Sequence, residues 1–320
     1  PPLANTFHHF ISCFSLDPTT GYSRGTINSG CVRNRGYELE ITATPVLTRD
    51  FRWNTTLTWS KNDNKILSLA EGADENQVIS TVGTASIIGR VGGTTGDLWG
   101  YKLVRDPEGN VIIGDNGLPE QADEIEYVGT AYADWKAGWY NEFSYKGFKL
   151  GILLDGQVGG TIYSMSFHKM MEQGKLTQSL NGRLPGTEYY MDANDPRIAA
   201  AGYTPQSGMY MIAPGVVRND DGTFSPNTKV VTIESFYKEY YRRANVETNS
   251  FDASFLKIRE IRLEYELPKK VLEKSPFSKA SIAVYGRNLW CFTDYPLFDP
   301  ESVALDGSSM VSGIETGSLP

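Results

Sequence analysis

The sequence predicts an all-β chain, an antiparallel meander that forms a sector of a large transmembrane β-barrel with long extracellular loops. Six segments alternate apolar and polar residues with a period of two, as strands with one apolar face require. Short and long connections alternate strictly along the chain, and membrane barrels combine short turns at one edge with long loops at the other. The sequence also lacks an apolar run of roughly 18 residues, which excludes a transmembrane helix.

The predicted strands are grouped in pairs. They cover residues 37–45, 51–60, 135–145, 148–157, 254–267 and 279–290. The second strand shows the pattern clearly, because Trp53, Leu57 and Trp59 share one parity while Asn54 and Thr58 share the other. Alternation of this kind leaves the apolar face either against a second protein layer or against lipid.

The fifth strand changes phase. Leu256 and Ile258 share one parity, whereas Ile261 and the apolar residues after it share the other. A β-bulge inserts one extra residue and so shifts the parity of everything that follows. We therefore predict a bulge near Arg259 and Glu260 that restores a single apolar face.

The connections differ in length by more than an order of magnitude. The short ones are residues 45–50, Lys146 with Gly147, and residues 268–278. The long ones are residues 61–134, 158–253 and 291 onward. Compact soluble domains seldom carry structureless loops beyond about 12–15 residues. Loop asymmetry therefore favours the barrel, in which polar strand residues face the lumen. These lumenal charges are predicted to be Arg52, Lys136, Glu142, Lys149, Asp155, Glu260, Arg262 and Glu264.

Charge and cysteine content exclude several kinds of protein. A net charge of -8 without a basic stripe argues against nucleic acid as a partner. The three cysteines, Cys13, Cys31 and Cys291, lack the spacing of a metal site. The cysteines could form one disulfide between Cys13 and Cys31, or all three could be separate thiols. His8 and His9 are adjacent and His168 stands alone, so we predict neither a metal nor a cofactor.

Catalytic motifs are absent from the sequence. Asp299 with Glu301, or Asp123 with Glu124 and Glu126, could serve as acid and base in a β-rich glycoside hydrolase. Acidic residues in loops are, however, ordinary solvated surface, and no nucleophile elbow is present. We therefore predict that the chain is not an enzyme.

Aromatic residues are frequent in the long connections. Those that could stack on sugar rings or peptides are Trp99, Tyr101, Tyr189, Tyr190, Tyr203 and Tyr210. The same side chains could instead pack the loops against one another. Both readings stay open at the level of the sequence, and the six residues are the candidate ligand-binding site.

Several stretches, in order along the chain, resemble the SusC/RagA family of TonB-linked outer-membrane transporters. They are NSGCVRNRGYELEI at 28–41, GDLWGYK at 96–102, the paired strands at 127–164, FDASFLKIREIRLEYELPKKVL at 251–272 and VYGRNLWCFTDYPLFDPE at 284–301. The resemblance implies a barrel of about 22 strands with an N-terminal plug domain. Residues 1–320 would be its C-terminal portion, with the plug and the final strand outside this chain.

The resemblance also implies a function. Such transporters import oligosaccharides or peptides through the Gram-negative outer membrane, under a SusD-like surface lipoprotein that acts as a lid, and TonB engages their plug. The implied partners are therefore that lipoprotein, TonB, the imported ligand and outer-membrane lipid. The alternative is a soluble all-β glycan-binding module, in which the apolar face packs between two sheets.

Overall fold

The computed structural model describes residues 3–15, 24–71, 74–273, 276–297, 299–306 and 309–317. The strands are β1 (Leu3–Ser15), β2 (Arg24–Leu47), β3 (Phe51–Leu69), β4 (Gln77–Val82), β5 (Ala85–Gly89), β6 (Asp97–Gly100), β7 (Glu126–Thr130), β8 (Trp135–Tyr145), β9 (Phe148–Val158), β10 (Thr161–Ser164), β11 (Tyr210–Ile212), β12 (Val216–Arg218), β13 (Phe224–Pro226), β14 (Val230–Thr232), β15 (Ser250–Asp252), β16 (Phe255–Glu266), β17 (Ser281–Phe292), β18 (Ala304–Asp306), β19 (Ser309–Val311) and β20 (Ile314–Glu315). The helices are α1 (Met165–Glu172), α2 (Pro196–Ala200), α3 (Ile233–Tyr240) and α4 (Lys269–Leu272), with 3₁₀ turns at Thr177–Leu180 and Glu247–Asn249.

Seven strands form one antiparallel sheet in the order β1-β2-β3-β8-β9-β16-β17. Each strand pairs with the next one in this order, so the sheet is a sequential meander. The other strands lie in the long connections, as small sheets of two to four strands. This arrangement confirms the predicted fold class. Among the described residues, no helix is both long and apolar enough to cross a membrane.

Two features of the sheet were not predicted. Strand β1 was missed, and β2 and β3 extend far beyond the predicted segments, to Arg24 and Leu69. In these extensions polar residues occupy both parities, as Arg33, Asn34 and Arg35 do in succession. Period-two analysis detects a strand only where one face is apolar, so it reports the part that contacts a hydrophobic phase and misses the rest.

The predicted bulge in β16 is confirmed. Ile258 is opposite Leu154 and Glu260 is opposite Leu153, so Arg259 is the extra residue, and the pairing with β17 shifts at the same place. Two residues on one strand then oppose one on its partner. The apolar parity of β16 consequently continues from Ile258 to Ile261 on one side of the sheet.

The turn between β8 and β9 consists of Lys146 and Gly147, both with positive φ, at 45° and 87°. Two successive left-handed residues correspond to a type I′ turn, whose twist matches that of antiparallel strands. Glycine adopts this conformation freely, but for a residue with a Cβ it is unfavourable by about 1–2 kcal/mol. Asparagine tolerates it better than lysine.

We expect Lys146→Asn to stabilise this hairpin by roughly 0.5–1 kcal/mol, because Asn-Gly is the preferred type I′ pair. Lys146→Val should destabilise it, since a β-branched side chain is worst at positive φ. Hydrogen exchange at the amides of β8 and β9 nearest the turn measures both changes. Identical protection in the two variants would contradict this view of the turn.

One face of the main sheet is apolar and exposed. Leu39, Trp139 and Leu263 are 51%, 45% and 51% exposed, although they occupy central strands. Two indole N–H groups on this face are bonded within the sheet. Trp53 Nε1 donates to Asn141 Oδ1 at 3.0 Å and Trp139 Nε1 to a threonine hydroxyl of β3 at 2.9 Å.

The long connections fold together above the sheet into a structured region, which we call the loop lobe (residues 70–134, 159–254 and 293–317, where described). One of its cores draws residues from all three connections: Ile87 and Leu98, then Tyr163 and Val246, then Ile314. The buried carboxylate of Glu315 accepts hydrogen bonds from Ser164 Oγ at 2.6 Å and Ser166 Oγ at 2.8 Å. Distant segments thus depend on one another for burial.

Candidate functional site

The polar face of the main sheet carries the charges predicted to face the lumen. The strand register places all eight on one side of the sheet: Arg52, Lys136, Glu142, Lys149, Asp155, Glu260, Arg262 and Glu264. Many of them have partners of opposite sign. Lys149 Nζ lies 3.9 Å from Glu266 Oε2, and Arg287 Nε donates to Glu260 Oε2 at 3.0 Å. The face is therefore dense in charge and largely compensated.

An ionic cluster on this face joins the main sheet to the segment after β17. Lys257 is 2% exposed, and its Nζ donates to Asp299 Oδ1 and Glu301 Oε2, both at 2.5 Å. Arg259 Nε donates to Asp155 Oδ2 at 2.7 Å and its Nη2 also contacts Glu301. Two cations of β16 thus hold one carboxylate of β9 and two of the loop lobe.

The bulge explains how one strand supplies so many charges to one side. Lys257 and Arg259 share a parity, and the extra residue at Arg259 turns Glu260 and Arg262 toward the same face. Without the bulge, the second half of β16 would present its charges to the apolar side. The change of parity in β16, which is visible in the sequence, therefore places the charged residues of the cluster on one face.

Asp299 and Glu301, considered from the sequence as an acid–base pair, are partners in this cluster. Burial raises the pKa of Glu301, but the hydrogen bonds from Lys257 and Arg259 outweigh it and hold the pKa below its usual value. A glycosidase needs one carboxyl group whose pKa is raised. The geometry here is that of ion pairs that fasten a loop.

A groove of about 370 Å³ lies beside the cluster on the same face. The polar residues along it are Glu38, Glu40, Thr58, Ser60, Lys136 and Asp155. They come from four strands, β2, β3, β8 and β9, so only the strand register brings them together. Carboxylates, hydroxyls and an ammonium group in one groove can bind the hydroxyls of a sugar or the amides of a peptide. No sequence motif indicated this groove.

Trp99 and Tyr101 lie in the loop lobe, at β6 and directly after it. The Arg90 guanidinium stacks over the Trp99 ring at 5.0 Å, and Tyr127, which is 44% exposed, meets that ring edge-on at 6.0 Å. Among the described residues, the buried Trp99 Nε1 has no hydrogen-bond acceptor. Tyr101 is half-buried, and its carbonyl accepts from Val246 N at 3.0 Å. Arg90 and Tyr127 were not among the sequence candidates, because only the pairing of β6 with β5 and β7 brings them to Trp99.

The other four candidates fall into two groups in the second long connection. Tyr203 and Tyr210 pack together with ring centroids 4.8 Å apart, beside a small core that includes Ile198. Tyr189 packs against the core between α1 and α3, and Tyr190 is half-buried next to it. The structure thus brings the candidates together in pairs and not into one surface. Their role as ligand contacts stays a prediction.

His168 is buried on α1, and its Nδ1 lies 3.0 Å from the carbonyl oxygen of Tyr241. Burial lowers the pKa of His168, and the bond to this carbonyl offsets the effect only in part. The side chains of His8 and His9 lie outside the described residues. Within the described part of the chain, no group of three metal-ligating residues occurs.

Acidification is expected to loosen the loop lobe around His168. Its folded-state pKa is depressed, so its contribution to stability is fully present above the unfolded value of about 6.5 and is lost as the pH falls through the lower folded value. Hydrogen exchange of α1 and α3 amides between about pH 7.5 and pH 5, corrected for intrinsic rates, measures this loss. A His168→Asn variant keeps a donor for the Tyr241 carbonyl and should show a flat profile. A wild-type profile as flat as the variant's would contradict the prediction.

Comparison with known proteins gives a consistent result. No protein-family model matches the chain. The chain is 25% identical over 333 residues to TonB-dependent receptor P3 of Formosa agariphila, an alignment that covers 95% of this chain and 29% of that protein. It is 23% identical to TonB-dependent receptor P26 of the same organism, covering 96% and 30%. It is also 26% identical over 151 residues to the TonB-dependent receptor SusC of Bacteroides thetaiotaomicron, covering 43% and 15%.

Solved structures agree with the sequence relatives. The RagAB peptide importer in its closed-closed state superposes with a TM-score of 0.60 at 14% identity, over 98% of this chain and 31% of that one. Its open-open state gives 0.57 at 15% identity, over 97% and 30%. The chain spans less than a third of the length of these proteins. The relatives are receptors and importers, not enzymes, and they confirm the resemblance that the sequence predicted.

Proposed function

We propose that this chain, a relative of the SusC/RagA-type TonB-dependent receptors, is part of an outer-membrane importer that takes up oligosaccharides or peptides. Residues 1–320 would be the C-terminal portion of its barrel. The chain covers about 29% and 31% of two such proteins, which supports its being a portion of a longer protein. TonB would act through the plug domain of the complete importer.

The observation that carries the proposal is the division of the main sheet into two unlike faces. Leu39, Trp139 and Leu263 are about half exposed on one side, whereas Lys257 is buried among carboxylates on the other. In a soluble sandwich the apolar face would be covered by a second sheet, and within the described residues none covers it. The loop lobe packs on the charged side. Lipid outside and a polar route inside explain both faces.

The loop lobe and the groove would provide the ligand contacts. We propose Trp99 as an anchor, because Arg90 lies over its ring and Tyr127 meets the ring edge-on, while its Nε1 lacks a partner among the described residues. The half-buried rings of Tyr101, Tyr189, Tyr190 and Tyr203 would provide separate contacts elsewhere on the lobe, with Tyr210 packed against Tyr203. Aromatic faces suit sugar rings and peptide side chains alike.

The outer surface of the loop lobe would also bind a lid. The resemblance implies a SusD-like surface lipoprotein, and the lobe offers an ordered platform for it, since its three connections share cores. An ordered platform loses little conformational entropy on binding. Such a lid would enclose the ligand between itself and the groove on the barrel wall.

Uptake by cells tests the proposal. The complete coding sequence is deleted from its host and restored on a plasmid, and uptake of fluorescent oligosaccharides and peptides is measured with and without a proton uncoupler. We expect uptake of one class to require both the gene and the proton gradient. Trp99→Ala should reduce that uptake without changing the amount of protein in the outer membrane. Trp290→Ala, on the exposed apolar face of β17, should leave the uptake per inserted protein unchanged.

Two results would overturn the proposal. The first is uptake of every compound at the same rate with and without the gene. The second is recovery of the protein in the aqueous fraction, with its apolar face shielded by protein, which would favour the soluble glycan-binding module. Loss of uptake in Trp290→Ala but not in Trp99→Ala would contradict the role of Trp99 as a ligand contact. It would leave the importer proposal itself unaffected.

A further inference from the structure

A group of basic side chains continues the apolar face of β2 and β3 beyond its last hydrophobic residue. On β2 the outward parity runs from Ile41 and Leu39 through Tyr37 to Arg35 and Arg33. On β3 the residues opposite Tyr37, Arg35 and Arg33 are Lys61, Asp63 and Lys65. We call Arg33, Arg35, Lys61, Asp63 and Lys65 the outer basic patch. Four of its five side chains are cationic.

The other parity of the same strands faces the loop lobe, which fixes the direction of the patch. Asn64 Nδ2 donates to Asn34 Oδ1 at 2.8 Å, and Asn64 Oδ1 accepts from Thr95 N at 2.8 Å. Asn62 lies on this inner side as well, 3.4 Å from the Asn34 amide oxygen. Because neighbouring residues of a strand point to opposite sides, the odd-numbered residues at this level point away from the lobe.

The height of the patch matches the edge of a lipid bilayer. Val46 and Tyr37 bracket the apolar part of β2 and are separated by nine residues. At about 3.3 Å per residue and a strand tilt of about 40°, this part spans roughly 23 Å, close to the apolar band of about 25 Å in outer-membrane barrels. Tyr37 and, on β8, Trp135 are the aromatic residues at the upper limit, where interfacial rings are favoured. Arg35 and Arg33 come next, at the level of lipid headgroups.

The patch is under-compensated in charge. Arg33 Nη2 lies 3.8 Å from Asp63 Oδ2, and this carboxylate is 58% exposed. The buried Arg33 Nε has no hydrogen-bond acceptor among the described residues. Arg35, Lys61 and Lys65 are exposed. Exposed cations beside an apolar band complement an anion that is attached to an acyl chain.

We propose that the outer basic patch binds the phosphate groups of anionic lipid in the outer leaflet of the membrane. Arginine and lysine donate charge-assisted hydrogen bonds to phosphate oxygens, while Tyr37 and Leu39 contact the acyl chains below. The patch would fix the rotational setting and depth of this part of the barrel. The inference rests on the proposed outer-membrane location, but not on which ligand is imported.

Lipid binding to the protein from its complete coding sequence tests the inference. The protein is placed in phosphatidylcholine nanodiscs, and bisphosphorylated lipid A is titrated in, with dephosphorylated lipid A and free inorganic diphosphate as separate arms. We expect binding of the bisphosphorylated lipid only. The variant Arg33→Gln/Arg35→Gln/Lys61→Gln/Lys65→Gln should weaken that binding by about tenfold or more, because each cation near the surface contributes to attraction of anionic headgroups.

A matched control removes the same charge from the opposite face. The variant Arg52→Gln/Lys136→Gln/Lys149→Gln/Arg262→Gln should bind the lipid within about twofold of wild type, because these cations face the lumen. Equal binding of the dephosphorylated lipid, equal losses in the two variants, or saturation by free diphosphate alone would overturn the inference. Failure of the wild type to enter nanodiscs at all would instead overturn the proposed membrane function.

Discussion

Replacing Asp299 by Asn together with Glu301 by Gln is expected to detach residues 293–297 and 299–303 from the main sheet. The change leaves Lys257 buried, at 2% exposure, without the two carboxylates that it contacts at 2.5 Å. Breaking a buried pair by removing one partner costs about 3–5 kcal/mol. The carboxylates are 53% and 37% exposed, so water reaches this site, and the lower end of that range is the better expectation.

The loss should be measured as the free energy of local opening, from hydrogen exchange at amides of residues 293–297 and 299–303. Adding Lys257→Met removes the orphaned cation and should recover part of the stability, since the penalty comes from the unpaired charge. The matched control is Glu234→Gln. It breaks a contact of the same 2.5 Å length to Lys238, but both side chains are more than half exposed, so its loss should be far smaller than that of the buried pair. Equal costs for the buried and exposed pairs would contradict the account.

Substituting lysine for Leu154 is expected to impair membrane insertion far more than the same change at Leu153. The two leucines are adjacent but on opposite faces: Leu154 is paired with Trp139 and Ile258, and Leu153 with Tyr140 and Glu260. A lysine that faces lipid near the bilayer midplane costs roughly 2–4 kcal/mol. On the other face it enters a polar environment next to a carboxylate.

Insertion is measured as the fraction of the full-length protein that resists protease and runs as a folded species after reconstitution into vesicles. Leu154→Lys should lower this fraction steeply, and Leu153→Lys should leave it near the wild-type level. Leu150→Lys, on the lipid side but closer to the turn at Lys146, should fall between them, because the cost decreases toward the interface. If Leu153→Lys were as harmful as Leu154→Lys, the assignment of the two faces would be wrong.

The sequence alone determined the parts of the fold that depend on a hydrophobic phase. Alternation located the segments of six strands that have one apolar face, and the change of parity between Ile258 and Ile261 located the bulge at Arg259. Connection lengths separated the turn edge from the loop edge. These features are readable because each depends only on residues that are neighbours in the chain, arranged with the strand period of two.

Tertiary structure decided the rest. The strand β1 and the outer half of β2 leave no period-two signal, because apolar and polar residues occur on both parities there. The pairing of Lys257 with Asp299 and Glu301 joins residues more than forty positions apart. The contacts of Trp99 with Arg90 and Tyr127 require the pairing of β6 with both β5 and β7. The loop aromatics could be identified as candidates but not placed, since which of them pack the lobe depends on cores that combine three connections. The role of a charged or aromatic residue in a loop depends on the side chain that it contacts. That contact is distant in the chain, so it cannot be identified from the sequence alone.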